Sequence, residues 1–179
     1  MLAVNPKWYK ITNIFIETGT GQGLGIEKAL KYDFKEIYSI ELDRRLYDKN
    51  FRRFRALENV KIYHGDSAEL FPEIMNTFKE PVTIWLDAHI DHFIGRDDYR
   101  EYLCPLYYEL EYLKSHPIKD HLIMIDDRRL FREHEKREGN TWGKTISEKK
   151  IRAYIKDINP DYIIKTVDGI VKNDIIIAY

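Results

Sequence analysis

The 179-residue sequence contains a single cysteine, Cys104, which excludes an intrachain disulfide. So few cysteines are typical of a protein from a reducing compartment, and we expect a cytoplasmic location. No apolar run approaches the roughly 20 residues that a transmembrane helix requires. Residues 1–10 show no basic segment followed by an apolar stretch, so we expect neither a signal peptide nor membrane association.

An excess of either charge sign is also missing. Lys and Arg total 29 and Asp and Glu total 30, which gives a formal net charge of −1 at pH 7. Nucleic-acid-binding proteins usually show a basic excess, so the composition argues against nucleic acid as a partner, although a local basic patch stays open. The length fits about one domain. We therefore predict a single domain over residues 1–179, with little room for a separate substrate domain.

Apolar periodicity divides the chain into alternating strands and helices. The pattern predicts strands at 11–18, 36–42, 60–64, 82–86, 121–125, 162–167 and 175–179, and helices at 26–32, 44–56, 67–78, 102–113 and 146–158. Such alternation predicts an α/β fold whose mostly parallel sheet is covered by helices on both faces. Asp168-Gly169 is a turn signal, so we expect the last two strands to be antiparallel.

Two stretches, 88–101 and 128–145, lack a clear element and follow strands, which places them at the carboxyl edge of the sheet. Ligands bind at that edge in open α/β sheets. The first stretch is mainly acidic, whereas the second carries Arg128, Arg129, Arg132, Lys136, Arg137 and Lys144. We interpret most of these charges as solvated. The functional alternative is a mobile lid that favours an anionic acceptor, with Trp142 covering the site.

A glycine-rich loop follows the first strand and opens the first helix, with the sequence Glu17-Thr18-Gly19-Thr20-Gly21-Gln22-Gly23. Glycines permit a tight turn and the close approach of a ligand to the backbone. The spacing differs from the G-x-G-x-x-G pattern of dinucleotide sites, and the loop lacks the Lys-Ser/Thr ending of a P-loop. An acid beside the loop repels a phosphate, but it suits a cationic or hydroxylated ligand.

An acid followed by three alternating glycines, from Glu17 to Gly23, resembles the first motif of the class I S-adenosylmethionine-dependent methyltransferases. The resemblance implies a Rossmann-like three-layer sandwich whose seven-stranded sheet ends in an antiparallel strand. It implies that Glu41 bonds the ribose hydroxyls and that Asp66 contacts the adenine, with Ser67 assisting. The implied cofactor-binding residues are Glu17, Gly19, Thr20, Gly21, Gly23, Glu41, Asp66 and Ser67. The alternative is that the glycines only form a turn and the acids only cap helices.

Polar residues also follow the fourth and fifth predicted strands. Asp87 and His89 follow the fourth, and Asp126 and Asp127 follow the fifth. Adjacent parallel strands deliver these residues to one place, and carboxylates with an imidazole suit Mg²⁺ or another divalent cation. The pattern partly resembles the metal-dependent O-methyltransferases, in which a metal bound by acids after these strands favours the deprotonated acceptor hydroxyl. Asp127 stands where that family usually has an asparagine-type ligand.

We therefore predict Asp87, Asp126 and Asp127 as metal ligands and Asp87, His89 and Asp126 as catalytic residues. His89 fits a ligand, a general base or neither role, and Asp87 and His89 could position an acceptor without a metal. Asp87 and Asp126 could also simply cap helices. Cys104, which precedes Pro105, is either a small buried residue or a thiol of low pKa.

The predicted function is S-adenosylmethionine-dependent methyl transfer to a hydroxyl of a small molecule that the sequence does not identify. A nucleic-acid methyltransferase is a second candidate, although no Asn/Asp-Pro-Pro-Tyr/Trp motif follows the fourth strand. A third is a non-catalytic module with the same fold, because a fold does not imply a function. The six cations of the second helix are expected to face water: Arg44, Arg45, Lys49, Arg52, Arg53 and Arg55.

Overall fold

Strands and helices alternate along the computed structural model, which describes residues 12–90, 103–134 and 143–179. The strands are β1 Ile14–Thr18, β2 Glu36–Glu41, β3 Val60–His64, β4 Thr83–Leu86, β5 Leu122–Ile125, β6 Ile164–Val167 and β7 Ile175–Ala178. The helices are α1 Leu24–Ala29, α2 Arg44–Phe54, α3 Ser67–Met75, α4 Leu106–Ser115 and α5 Glu148–Ile158. Short 3₁₀ turns lie at Arg128–Leu130 and Gly143–Thr145.

The seven strands form one sheet in the order β3-β2-β1-β4-β5-β7-β6. The first five strands pair in parallel, and β7 runs antiparallel to both β5 and β6. The predicted mostly parallel sheet with an antiparallel last strand is therefore confirmed. After β3 the chain returns to the other side of β1, so the strand order reverses between β1 and β4, where ligands bind in folds of this kind.

The central strands of the sheet are buried on both faces, which explains why they read as continuous apolar runs. On one face, Ile16 packs in a cluster with Leu110 of α4 and Ile155 of α5. On the other face, Phe15 packs in a separate cluster with Ile26 of α1. Alternate residues of one strand thus anchor helices on opposite sides, and the end of β1 is held rigidly between them.

Helix ends follow local capping. Asp43 caps α2, because its side chain accepts hydrogen bonds from the backbone N–H groups of Arg45 and Leu46 at 2.8 and 3.1 Å. The predicted helix at 102–113 begins only at Leu106. Pro105 accounts for the later start, because a proline disfavours helical backbone at the residue before it.

The predicted exposure of the cations at the second helix is confirmed. All five cations of α2 are exposed, and so is Arg55, which follows the helix. No described helix combines the length and the apolar character that crossing a membrane would need.

Candidate functional site

The glycine loop after β1 rests directly on the end of β4. Gly19 has a φ of +82°, a backbone conformation that residues with a Cβ rarely adopt. Its N–H donates to the carbonyl oxygen of Ile40 at 2.9 Å. A Cβ at Gly19 would lie 2.9 Å from the backbone oxygen of Asp87. The missing side chain therefore lets the loop approach the residue that opens the second predicted site.

A cavity of about 410 Å³ opens beside this loop, at the carboxyl ends of β1, β2 and β3. Four of the eight predicted cofactor residues line it, namely Gly19, Glu41, Asp66 and Ser67. The other four, Glu17, Thr20, Gly21 and Gly23, are not among its lining residues. The structure thus divides the predicted set into a lining group and a supporting group, and we call this space the glycine-loop cavity.

Glu41 joins the glycine loop to β2. One carboxylate oxygen accepts from the N–H of Gly21 at 2.8 Å, and the other accepts from the N–H of Asp43 at 2.8 Å. Burial raises the pKa of Glu41, and the two backbone hydrogen bonds oppose that rise. A carboxylate offers about four lone-pair positions, so Glu41 retains acceptor capacity toward a molecule in the glycine-loop cavity.

Glu17 lies beneath the glycine loop and does not line the glycine-loop cavity. Its carboxyl is buried and accepts a hydrogen bond from the hydroxyl of Ser39 at 2.7 Å. The hydroxyl of Thr20 also hydrogen-bonds to Ser39. Burial raises the pKa of Glu17 to about 8. A Cβ on Gly25 would lie 1.7 Å from a Glu17 oxygen, so Gly25 is required where α1 crosses this carboxyl.

Two residues at the start of α3 form another part of the wall. Asp66 caps the helix, which begins at Ser67, and accepts from the N–H of Ala68 at 2.9 Å. The Ser67 hydroxyl donates to Glu109 Oε1 at 2.8 Å. Glu109 lies on α4 and is 1% exposed, and burial raises its pKa to about 7. Sequence reasoning missed Glu109, although an acid within the apolar stripe of Leu106, Leu110 and Leu113 was a usable signal.

A second, smaller cavity of about 240 Å³ adjoins the first, and Ala88 and His89 line both. Asp87, Asp126 and Asp127 also line it, so the structure brings all predicted catalytic residues to one place. Its other walls are Leu86, Cys104, Leu106, Glu109, Ile125 and Phe131. We call this space the acidic cavity.

Side chains that could hold a metal form two overlapping groups in the described residues. In the first, ligand atoms of Asp87, His89 and Asp127 all lie within 4.8 Å of one another. In the second, Asp126 and Asp127 are grouped with Asp174, which precedes β7. The group that contains Asp87 therefore includes His89 in place of the predicted ligand Asp126. Sequence reasoning missed Asp174, which only the pairing of β7 with β5 brings to this edge.

The acidic cavity concentrates negative charge. Burial, followed by repulsion from Asp126 and Asp127, raises the pKa of Asp87 well above its ordinary value. The pKa of Asp126 rises to about 6 for the same two reasons, burial and the neighbouring Asp127. Burial raises the pKa of Asp127 as well, against the attraction of Arg129 and His89. A cation bound among these acids would relieve both the repulsion and the desolvation.

The backbone and an arginine fix Asp127. Its φ of +60° is unusual for a residue with a side chain, although Asp tolerates this region better than most residues. Arg129 Nη2 lies 2.6 Å from Asp127 Oδ1, and Arg129 also pairs with Asp174. His89 Nδ1 lies 3.7 Å from Asp127 Oδ2. The oxygen that faces His89 is therefore the one that Arg129 does not hold.

Other sequence predictions are placed as follows. Arg128 pairs with Glu148 and Arg129 with Asp174, so these two arginines hold the start of the basic stretch to the body of the fold. Cys104 donates its S–H to the Ala88 carbonyl at 3.4 Å, and burial strongly raises its pKa. The reading of a low-pKa thiol is therefore wrong. Lys136, Arg137 and Trp142 lie outside the described residues.

No family model and no curated protein matches this sequence. Solved structures do match it in fold. The SAM-bound CalS10 of Micromonospora echinaspora, an amino pentose methyltransferase involved in calicheamicin biosynthesis, superposes with a TM-score of 0.59 at 13% identity. The match covers 96% of this chain and 85% of that one. The chain has the fold of SAM-dependent methyltransferases.

Two further methyltransferases superpose in the same way. The SAH-bound PaMTH1 of Podospora anserina gives a TM-score of 0.56 at 12% identity, covering 93% of this chain and 70% of that one. A SAM-dependent methyltransferase from Aquifex aeolicus gives 0.53 at 16% identity, covering 93% and 80%. The predicted Rossmann-like fold is thereby confirmed, and both cavities lie at the carboxyl edge of the sheet in this methyltransferase fold.

Proposed function

We propose that this protein is an S-adenosylmethionine-dependent methyltransferase that methylates a hydroxyl of a small molecule. The observation that carries the proposal is the pair of adjoining cavities that share Ala88 and His89. One is lined by the acids and the glycine that the methyltransferase resemblance assigns to the cofactor. The other is acidic and small, at about 240 Å³. Methyl transfer needs such an arrangement, because donor and acceptor must meet in line.

The glycine-loop cavity would hold the cofactor through acceptor groups. Glu41 would accept from the ribose hydroxyls with the lone pairs that the backbone leaves free, and Asp66 would accept at the adenine. Gly19 has no side chain, which allows the loop to lie against the backbone of Asp87. The SAM bound to CalS10 and the SAH bound to PaMTH1 support the same cofactor for this fold.

The acidic cavity would activate the acceptor. A hydroxyl is a poor nucleophile until its proton is removed, and a carboxylate of raised pKa is a stronger base than an exposed one. The proton of the acceptor hydroxyl would pass to Asp87 or His89. When bound, S-adenosylmethionine would supply the methyl group to the acceptor oxygen, and its sulfur would keep the electron pair of the broken carbon–sulfur bond.

The side chains of the acidic cavity also fit a divalent cation. Carboxylate oxygens with one imidazole are a donor set that Mg²⁺ and Mn²⁺ accept. Asp87, His89 and Asp127 would hold the ion, since their ligand atoms already lie within 4.8 Å of one another. When bound, such an ion lowers the pKa of an attached hydroxyl.

Calorimetry with S-adenosylhomocysteine (SAH), the demethylated product, tests the cofactor assignment without a known acceptor. We expect the unsubstituted chain to bind SAH and Glu41→Ala to lose most of that affinity. Glu36→Ala is the matched control, because Glu36 lies at the other end of β2 and pairs with Lys61. No binding at millimolar SAH by the unsubstituted chain would refute the proposed function.

Electron paramagnetic resonance of added Mn²⁺ tests the metal site separately. We expect Asp127→Asn to bind Mn²⁺ more weakly than the unsubstituted chain, because an amide lacks the negative charge. Asp120→Asn, a change at an exposed acid, should leave the affinity unchanged. If the unsubstituted chain binds no Mn²⁺ at millimolar concentration, Asp87 and His89 would have to activate the acceptor without a metal.

A further inference from the structure

Glu109 is a buried acid for which the proposed chemistry has no use. It lies on α4 among apolar residues, is 1% exposed, and lines the acidic cavity. A carboxyl in such surroundings is costly unless it is hydrogen-bonded. One hydrogen bond comes from Ser67, whose hydroxyl donates to Glu109 Oε1 at 2.8 Å. Ser67 in turn lines the glycine-loop cavity, so the Ser67–Glu109 pair connects the two cavities.

While Glu109 is ionised, the direction of this hydrogen bond fixes what Ser67 offers to a ligand. A serine hydroxyl has one hydrogen and two lone pairs. Because the hydrogen is directed to Glu109, only the lone pairs remain for a molecule in the glycine-loop cavity. The neighbouring Asp66 carboxylate caps α3 and accepts from the Ala68 N–H. This part of the wall therefore presents hydrogen-bond acceptors from two adjacent side chains.

We propose that Glu109 is a positioning residue that locks the Ser67 hydroxyl as a hydrogen-bond acceptor, so that the cavity selects a purine carrying an amino group over one carrying an oxo group. The inference rests on the proposed function, because it takes the ligand to be a nucleoside. An amino group donates to the locked oxygen. An oxo group would place its own acceptor oxygen against the acceptor oxygen of Ser67. The Ser67 hydroxyl could donate to the oxo group only by rotating, and rotation would break its hydrogen bond to Glu109.

The competing explanation is that Glu109 only stabilises α4. The conservative variant separates the two roles, because glutamine keeps an oxygen that accepts from Ser67, whereas leucine does not. Glu111→Leu is the matched control, since Glu111 lies on the same helix but is exposed. Removing the hydroxyl itself by Ser67→Ala should reproduce the effect of losing Glu109.

The experiment compares SAH with S-inosylhomocysteine, the analogue with an oxo group, by calorimetry. We expect Glu109→Leu and Ser67→Ala to reduce the ratio of the two affinities roughly tenfold, the effect of one hydrogen bond to a ligand. Glu109→Gln and Glu111→Leu should keep the ratio of the unsubstituted chain. Circular dichroism checks that each variant is folded. If Glu109→Leu does not fold, the comparison of Ser67→Ala with Glu109→Gln still decides the question.

An unchanged ratio in Ser67→Ala, or a loss in Glu109→Gln as large as that in Ser67→Ala, would overturn the inference while SAH binding persists. Failure of the unsubstituted chain to bind either compound is a different result. It would overturn the cofactor assignment itself, and the positioning role of Glu109 with it.

Discussion

At the scale of single residues, two glycines of one loop meet different constraints. Gly19 and Gly21 both have positive φ, at +82° and +52°, so alanine at either position costs about 1 kcal/mol or more in backbone strain. Only at Gly19 does a Cβ also collide, 2.9 Å from the Asp87 oxygen, whereas nothing lies within 4 Å at Gly21. We expect Gly19→Ala to lower the melting temperature further than Gly21→Ala and to abolish SAH binding.

Thermal melts and calorimetry on the two variants check this prediction, and Gly21→Ala serves as the control for strain alone. Equal effects of the two substitutions would contradict the importance of the approach between the loop and β4. Gly19 also shows how far the sequence alone could predict the site.

The alternating glycines marked the loop correctly. Asp87, whose backbone makes a glycine necessary at position 19, is 68 positions away, and only the sheet brings it near.

The predicted site was correct where residues directly follow a strand. Asp87 and Asp127 converge because β4 and β5 are adjacent and parallel, a relation that alternating strands and helices predict. Glu109 and Asp174 escaped prediction for a different reason. Glu109 depends on which face α4 turns inward, and Asp174 depends on the insertion of β7 beside β5. The first relation was readable from the helical spacing of Leu106, Leu110 and Leu113, whereas the second cannot be read from the spacing of residues.

At the scale of elements, the link between α4 and β5 contains a buried pair of histidines. His121 Nδ1 accepts from the backbone N–H of Val82 at 3.1 Å, and its Nε2 lies 3.1 Å from His116 Nδ1. Burial, followed by repulsion from His116, lowers the pKa of His121 to about 4. The folded state therefore binds fewer protons than the unfolded chain between pH 6.5 and about 4.

This difference has a definite sign. The stability contributed by neutral His121 is present above pH 6.5 and is lost as the pH falls through about 4, at up to about 1.4 kcal/mol per pH unit. We expect His121→Asn, which keeps an acceptor for Val82, to show a shallower fall of unfolding free energy in urea between pH 6.5 and 4. The exposed His64→Asn is the control, and identical slopes for all three proteins would contradict the assignment.

Element boundaries were harder to predict than the elements themselves. All seven predicted strands are present, but the predicted helix at 67–78 ends at Met75, and the predicted strand at 162–167 begins at Ile164. Apolar periodicity reports which residues face the core, and it says little about where backbone hydrogen bonding stops. Caps and neighbouring strands decide the ends, and the side chains of Asp43 and Asp66 set the starts of α2 and α3.

At the scale of the whole molecule, the reversal of strand order between β1 and β4 gives the two cavities a common wall. His89 belongs to that wall and also to the group that would hold a cation. A cation that fixes His89 would order one side of the glycine-loop cavity before a ligand enters it. We therefore expect Mn²⁺ to tighten SAH binding, and SAH to tighten Mn²⁺ binding by the same factor, because coupling between two sites is reciprocal.

Calorimetric titration of each ligand, with and without a saturating amount of the other, measures this coupling factor. We expect His89→Ala to abolish the coupling while SAH alone still binds, since Glu41 and Asp66 remain in place. His64→Ala, at an exposed histidine beyond the shared wall, should keep the coupling. Equal SAH affinities with and without Mn²⁺ in the unsubstituted chain would show that the two cavities act independently despite their common wall. In that case, His89 would serve only one of them.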